Sequence, residues 1–322
     1  GEAGMKKGRK IFIITEAVLA VMMCLVAITM LWERRGENLD QISVIVRDSD
    51  DTQWSAFKYG LRMAAEDSGV EMFFVSTGEE LTVEEQQQMI QTEIDNGADA
   101  VIVQPVPGAE EMLLKMERKI PIMLVGDAPD VSELPAVAPD NYDMGTALAK
   151  ELLKDYEGNL EGKKLGILLE STDSQALLDR KQGFQDMVEK AGASVIWSVE
   201  SGVSGEESAV IAAQPKADCV AALDDASLTA AGTYSSSDDL QGARIYGIGH
   251  STEAAYYLDT GAVECLIVPD EFNVGYQSLT ESAHNLKELF YRMQDITVSY
   301  TSIRQEELFT RENQEILFTM SQ

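Results

Sequence analysis

The side chains that could do chemistry in this chain are carboxylates rather than histidines or thiols. Only two histidines (His250, His284) and three cysteines occur in 322 residues, and none of these has metal-ligand spacing with another. There is no G-x-S-x-G elbow, no P-loop, no G-x-G-x-x-G after a strand and no H-E-x-x-H, so acyl transfer, nucleotide chemistry and zinc hydrolysis have no support and no cofactor or metal is expected. What remains is a set of polar residues placed just after apolar runs. Arg47 and Asp48 follow ISVIV, Asp127 follows PIMLVG, Asp224 and Asp225 follow CVAAL, and Gly249 with His250 ends ARIYGIGH. Isolated carboxylates in such places accept hydrogen bonds from hydroxyl groups. The alternatives are ordinary ones: an Asp caps a helix, and Arg47 pairs with Asp48 or Asp127.

The runs themselves read as the strands of βαβ units. ISVIV is apolar apart from Ser43. Trp54, Phe57, Leu61 and Ala64 then fall at helical spacing, with Gly69 as a stop. VEMFFV is a second strand. Thr82-x-x-Glu85 is a capping box opening a helix that carries Met89, Ile90 and Ile94 and closes at Gly97. AVIV and PIMLV follow as strands. From LGILL the same order returns, and GADAVIV compares with KADCVAA, and AEDSGVEMFFV with VEKAGASVIWSV. Two similar α/β lobes with parallel sheets are expected. Ligands of such sheets sit outside the carboxyl ends of the strands, so the loops at 47–54, 104–107, 126–127, 170–175, 224–225 and 249–250 should line one cleft. Cys219 and Cys265 begin strand-like stretches and are expected as buried, free thiols.

Ahead of this body lies a different element. Residues 1–10 form a basic tail, with Lys6, Lys7, Arg9 and Lys10, and residues 11–32 form a run of 22 in which Glu16 is the sole charge. At about 1.5 Å per residue it reaches roughly 33 Å, the thickness of a hydrocarbon core. The basic flank places the tail in the cytoplasm and residues 33–40 as a linker outside. A cleaved signal peptide is the rival reading, but no A-x-A-like site follows. GEAG precedes Met5, which looks like the natural start. The chain has 25 basic and 55 acidic residues, a net charge of −30. Beyond residue 36 the balance is 19 against 52. So acidic a body repels phosphate backbones, which argues against nucleic acid as a partner.

From about residue 41 to 320 the chain resembles the ribose/galactose type of periplasmic sugar-binding proteins, whose type I fold is shared with the ligand-binding domain of LacI-like repressors. The resemblance is carried by ISVIVRDSDDTQWSAFKYGLRMAAEDSGV, NGADAVIVQP, IPIMLVGD, APDNYDMGTALAKELL, DRKQGFQDMVEKAG, DCVAALDDASLTAAG and LIVPDEFNVGYQSLTESA. It implies two lobes joined by a hinge that the chain crosses three times. Lobe 1 is then 41–139 plus 269–299, and lobe 2 is 140–268 plus 300–322. It implies no catalysis, a monosaccharide-like ligand, and delivery to an ABC permease or, alternatively, to a membrane sensor such as a histidine kinase. It makes Trp54 the stacking aromatic and Asp127 and Asp224 the hydroxyl-binding carboxylates. The ribose pattern fails at several points: Ala128 and Leu178 stand where it has Arg, Gly249 where it has Asp and Pro269 where it has Gln. Ribose is therefore disfavoured, a non-sugar ligand stays open, and Asp270 with Glu271 could supply the missing polar groups.

Overall fold

The computed structural model describes residues 19–23, 26, 39–47, 54–77, 81–126, 133–201, 207–236 and 239–318. The chain divides into two units, Gly1–Asp40 and Gln41–Gln322. In the first, residues 19–23 and 26 are helical and exposed. The basic tail and most of the apolar run expected to span the membrane lie outside the described residues. No helix among the described residues is long and apolar enough to cross a membrane.

The second unit contains two six-stranded sheets. The first is built from β1 (Gln41–Ile45), β2 (Glu71–Val75), β3 (Ala100–Val103), β4 (Ile122–Val125), β5 (Ala136–Pro139) and β11 (Ile296–Val298) in the order β11-β5-β4-β3-β1-β2. The second uses β6 (Lys164–Leu169), β7 (Ser194–Glu200), β8 (Cys219–Ala222), β9 (Arg244–Ile248), β10 (Val263–Pro269) and β12 (Tyr300–Arg304) in the order β12-β10-β9-β8-β6-β7. Apart from β12, which runs antiparallel to β10, the neighbouring strands are parallel. The central strands are buried on both faces, which is why they read as continuous Val/Ile/Leu runs rather than alternating ones.

Helices cover both faces of each sheet. In lobe 1, α1 (Ser55–Ser68) and α9 (Glu271–Lys287) bury Phe57, Leu61, Val274 and Leu279 on one face. On the other face, α2 (Val83–Asn96) and α3 (Glu110–Glu117) bury Ile90, Leu113 and Met116. In lobe 2, α4 (Asn141–Asp155) and α5 (Gln175–Lys190) set Met144, Leu148 and Phe184 against the sheet. Behind it, α6 (Glu207–Ala212), α7 (Asp225–Ser236) and α8 (Thr252–Asp259) contribute Ile211, Leu228 and Leu258. The short α10 (Arg311–Phe318) ends the described chain. Truncating a fully buried aromatic such as Phe57 or Phe184 costs about 3–5 kcal/mol.

The chain passes from the first sheet to the second after Pro139, returns after Pro269, and passes again between β11 and β12. Each of the first two passages leads into a helix capped by an aspartate: Asp140 accepts from the Asp143 N–H at 2.8 Å, and Asp270 from the Asn273 N–H at 3.0 Å. Each helix then crosses its neighbour with backbones in contact. A Cβ on Gly60 of α1 would lie 2.0 Å from the Phe272 carbonyl oxygen of α9, and one on Gly145 of α4 would lie 1.9 Å from the Arg180 carbonyl oxygen of α5. Gly275 and Gly183 complete the two crossings at 2.1 and 2.0 Å from the Phe57 and Tyr142 carbonyl oxygens. Glycine is required at all four by proximity. Cys219 and Cys265 are buried and free.

Candidate functional site

A cavity of about 310 Å³ lies between the lobes, where the carboxyl ends of both sheets face one another. Lobe 1 supplies Arg47, the 105–108 turn, Glu110, Leu113, Leu124 and Leu134, and lobe 2 supplies Glu170, Ser171, Asp173–Gln175 and Leu177. Its wall is aliphatic and its rim polar, the composition of small-ligand pockets, and its size is near the lower end of their range, roughly 300 Å³.

The lobe 1 side is held by two glutamine side chains. Gln86 of α2, fully buried, donates to the Gln104 carbonyl at 2.8 Å and accepts the Val106 N–H at 3.3 Å, which pins the turn after β3. The Gln104 side chain in turn accepts the Arg47 N–H at 3.0 Å. The turns after β1 and β3 are therefore one hydrogen-bonded assembly, and Arg47 enters the cavity from it.

The lobe 2 side is held by two aspartates. Asp224, 9% exposed, accepts the Ser227 N–H at 2.7 Å, capping α7, and the Glu170 N–H at 2.8 Å, which fixes the loop that enters the cavity. Burial pushes its carboxyl up to about 6; the Ser227 and Glu170 donors pull the other way, the Glu170 charge adds to the rise and Arg180 opposes it. Asp225 accepts the His250 and Ser251 N–H groups at 3.0 and 2.8 Å, and its carboxylate lies 3.1 Å from His250 Nδ1. A Cβ at Gly249 would come within 2.5 Å of that carboxylate, so the residue after β9 has to be glycine for Asp225 to reach the turn. Arg180 donates to Asn141 Oδ1 and to the Leu223 carbonyl, both at 2.9 Å, tying α5 to the end of β8.

Of the residues singled out from the sequence, Arg47 lines the cavity. Asp48 and Asp127 lie outside the described residues. Trp54 is 8% exposed and sits in the lobe 1 core, its ring edge-on to Phe57 at 5.4 Å and its indole N–H donating to the Arg47 carbonyl at 3.0 Å. Asp224 stands behind Glu170 rather than in the lining. Gly249 serves the Asp225 contact, and Asp270 caps α9 at the crossing, holding the Asn273 side chain at 2.6 Å as well. The loops at 104–107 and 170–175 do meet in the cavity. Glu110 and Glu133, which no motif marks and which stand outside the expected loops, join them; only their position close to strand-end loops could have found them. Among the described residues no group of His, Cys, Asp and Glu is arranged to hold a metal.

Comparison with known proteins agrees with this geometry. The family described as "Periplasmic binding protein domain" matches residues 42–287. Among curated protein sequences none matches the chain. Similar solved structures include GanP, a glucose-galactose binding protein from Geobacillus stearothermophilus, with a TM-score of 0.72 and 19% identity over 84% of this chain and 99% of that one. A carbohydrate transporter solute binding protein from Agrobacterium radiobacter, in complex with D-arabinose, has a TM-score of 0.75 and 18% identity over 87% and 99%. A sugar-binding protein of a sugar ABC transporter from Bacillus halodurans gives 0.70 and 18% over 84% and 99%.

Proposed function

Because the chain belongs to the periplasmic binding protein domain family, we propose that its body, outside the cytoplasm, closes two lobes around a small carbohydrate and presents it to an ABC importer. The observation that carries this reading is the cavity lined from both lobes at once. A ligand there contacts two bodies linked by three crossings of the chain, so its binding energy favours the closed arrangement over the open one. The structural neighbours whose ligands are named hold monosaccharides, which supports the substrate class. We take Arg47, which lines the cavity, as a ligand contact from lobe 1, and Asp48 and Asp127, which follow the strand ends β1 and β4 in sequence, as further ones. We take lobe 1 as 41–139 plus 269–299 and lobe 2 as 140–268 plus 300–322. The apolar run 11–32 supports a membrane tether for this body.

No chemical step is required of the site; it binds and releases. The test is a thermal-shift panel on the purified full chain. At least one monosaccharide should raise the melting temperature, with the shift growing as the logarithm of ligand concentration above Kd, as mass action requires. A shift given only by amino acids or nucleosides would overturn the carbohydrate assignment. Extraction of cell membranes with alkaline carbonate tests the tether: the chain should stay with the lipid.

A further inference from the structure

Among the described residues, the two most exposed large apolar side chains are neighbours in sequence. Leu289 is 86% and Phe290 93% exposed, at the turn between α9 and β11. A loose loop would account for such exposure, but this turn is laced from within. Tyr291 donates its phenol to both oxygens of the buried Glu281 at 2.8 Å, and the Gln294 N–H reaches the same carboxylate at 2.9 Å. The Asn285 side chain donates to the Tyr291 carbonyl at 3.0 Å, and the Glu288 N–H to the His284 carbonyl at 2.9 Å. Leu286 and Met293, on either side of the tip, pack against the lobe 1 core. Phe290 itself has φ 71°, a left-handed backbone in which the Cβ of a bulky residue is crowded. Strain of this kind persists only where its surroundings enforce it, and it gathers at sites of use.

The turn belongs to the amino edge of the lobe 1 sheet. Lys287 donates to the Ser68 carbonyl and, at 3.3 Å, to that of Gly69. Glu71, two residues on, opens β2 and is the register partner of Gln41, the first residue of β1. The chain therefore enters the body at the edge that displays Leu289 and Phe290. In sequence only eight residues, 33–40, separate Gln41 from the apolar run 11–32. With that run in a bilayer, so short a connection keeps this edge within roughly 30 Å of the lipid. Since the carboxyl ends of the two sheets face one another, the amino edge of lobe 2 is the opposite pole. Phe309, 60% exposed, marks that pole: it follows β12, whose last residue Arg304 pairs with Cys265 near the start of β10.

We propose that Leu289 and Phe290 insert into the lipid interface, seating the amino edge of lobe 1 on the membrane and leaving the cleft on the aqueous side. This rests on the reading of residues 11–32 as a tether. Even one acyl chain binds a bilayer only marginally, so two side chains act only because the tether holds lipid at high effective concentration. The test uses the full chain reconstituted into vesicles of phosphatidylcholine, a zwitterionic lipid that does not repel the acidic body. Alkaline carbonate extraction reports the tether and Phe290→Trp reports the insertion. On reconstitution the emission of Phe290→Trp should shift to the blue and be quenched by lipid brominated on the upper acyl carbons, above the wild-type background of Trp32, Trp54 and Trp197. Adding Leu289→Asp should remove most of that gain. Phe309→Trp should show neither effect, which separates insertion of the turn from the affinity of any exposed indole for lipid. A carbonate-resistant chain in which Phe290→Trp is quenched no more than Phe309→Trp overturns the insertion and leaves the tether. A blue shift of Phe290→Trp that instead grows with protein concentration in detergent, without vesicles, assigns the turn to a second copy and overturns the lipid contact. Release of the chain by carbonate overturns both readings.

Discussion

In lobe 1 the turns that face the cleft lean on carboxamides, and in lobe 2 they lean on carboxylates. Gln86 and Gln104 hold the turns after β1 and β3, whereas Asp224 and Asp225 hold those after β6 and β9. The two lobes otherwise share strand order, helix placement and a glycine-lined helix crossing. The topology dictates that strand-end backbone groups need partners, because buried N–H and C=O groups are costly when left unpaired. It does not dictate which side chain supplies them. The choice matters for pH: a carboxamide does not titrate, while a buried carboxylate does. The bracing of the lobe 1 turns should therefore be unchanged across the acidic range, and that of the lobe 2 turns should not.

The comparison can be attacked first where the lobes are alike. Gly275→Val in lobe 1 and Gly145→Val in lobe 2 each force a side chain into a carbonyl about 2 Å away. Each should cost more than about 4 kcal/mol, measured by urea unfolding, and a marked difference between them would break the equivalence of the crossings. Gln86→Leu keeps the shape but strands the Gln104 carbonyl and the Val106 N–H. About 3–4 kcal/mol of stability should be lost, to the same extent at pH 4.5 and 7.

Asp224 sharpens the contrast. Its folded carboxyl, raised from 3.8 to about 6, holds a proton more tightly than the unfolded chain does. Stability from this group is thus fully present below about pH 4 and is lost as pH rises to about 6, by up to about 3 kcal/mol. In Asp224→Asn that slope should vanish from melting curves taken between pH 4 and 6.5; an unchanged slope would remove the titrating brace from lobe 2. At the small end, Thr82→Ala removes the capping box seen between Thr82 and Glu85. It should cost about 1 kcal/mol by thermal unfolding.

Much of this architecture is legible in the residues. ISVIV, AVIV, PIMLV and LGILL fall on β1, β3, β4 and β6, and the helices opened at Thr82 and stopped at Gly69 and Gly97 are where periodicity and capping put them. Even the paired crossings have a sequence trace. Pro139-Asp140 and Pro269-Asp270 each precede a glycine by the same interval, at Gly145 and Gly275, and Lys58-x-Gly60 repeats as Lys181-x-Gly183, with Gly69 and Gly192 nine residues further on. Hydropathy does not say which way a large side chain at a helix start turns. Trp54 has the same neighbours in sequence whether it stacks on a ligand or on Phe57, and the indole N–H bond to the Arg47 carbonyl accompanies the second arrangement. Nor does an aspartate after a strand reveal its partners: Asp224 accepts backbone N–H groups at both oxygens, and Asp270 accepts the Asn273 N–H at one and the Asn273 side-chain amide at the other, a local contest between cap and ligand that only three-dimensional packing decides.

The central claim, that one small molecule is held by both lobes in the cavity between them, is tested most directly by calorimetric titration of the full chain and of Ser171→Trp. Ser171 is a half-buried lining residue contributed by lobe 2, and an indole there fills the space without replacing a core side chain. The wild type should bind its monosaccharide at a single site, and the variant should lose at least about 100-fold in affinity while melting within a few degrees of the wild type. Wild-type affinity in Ser171→Trp would place the ligand elsewhere and contradict the account.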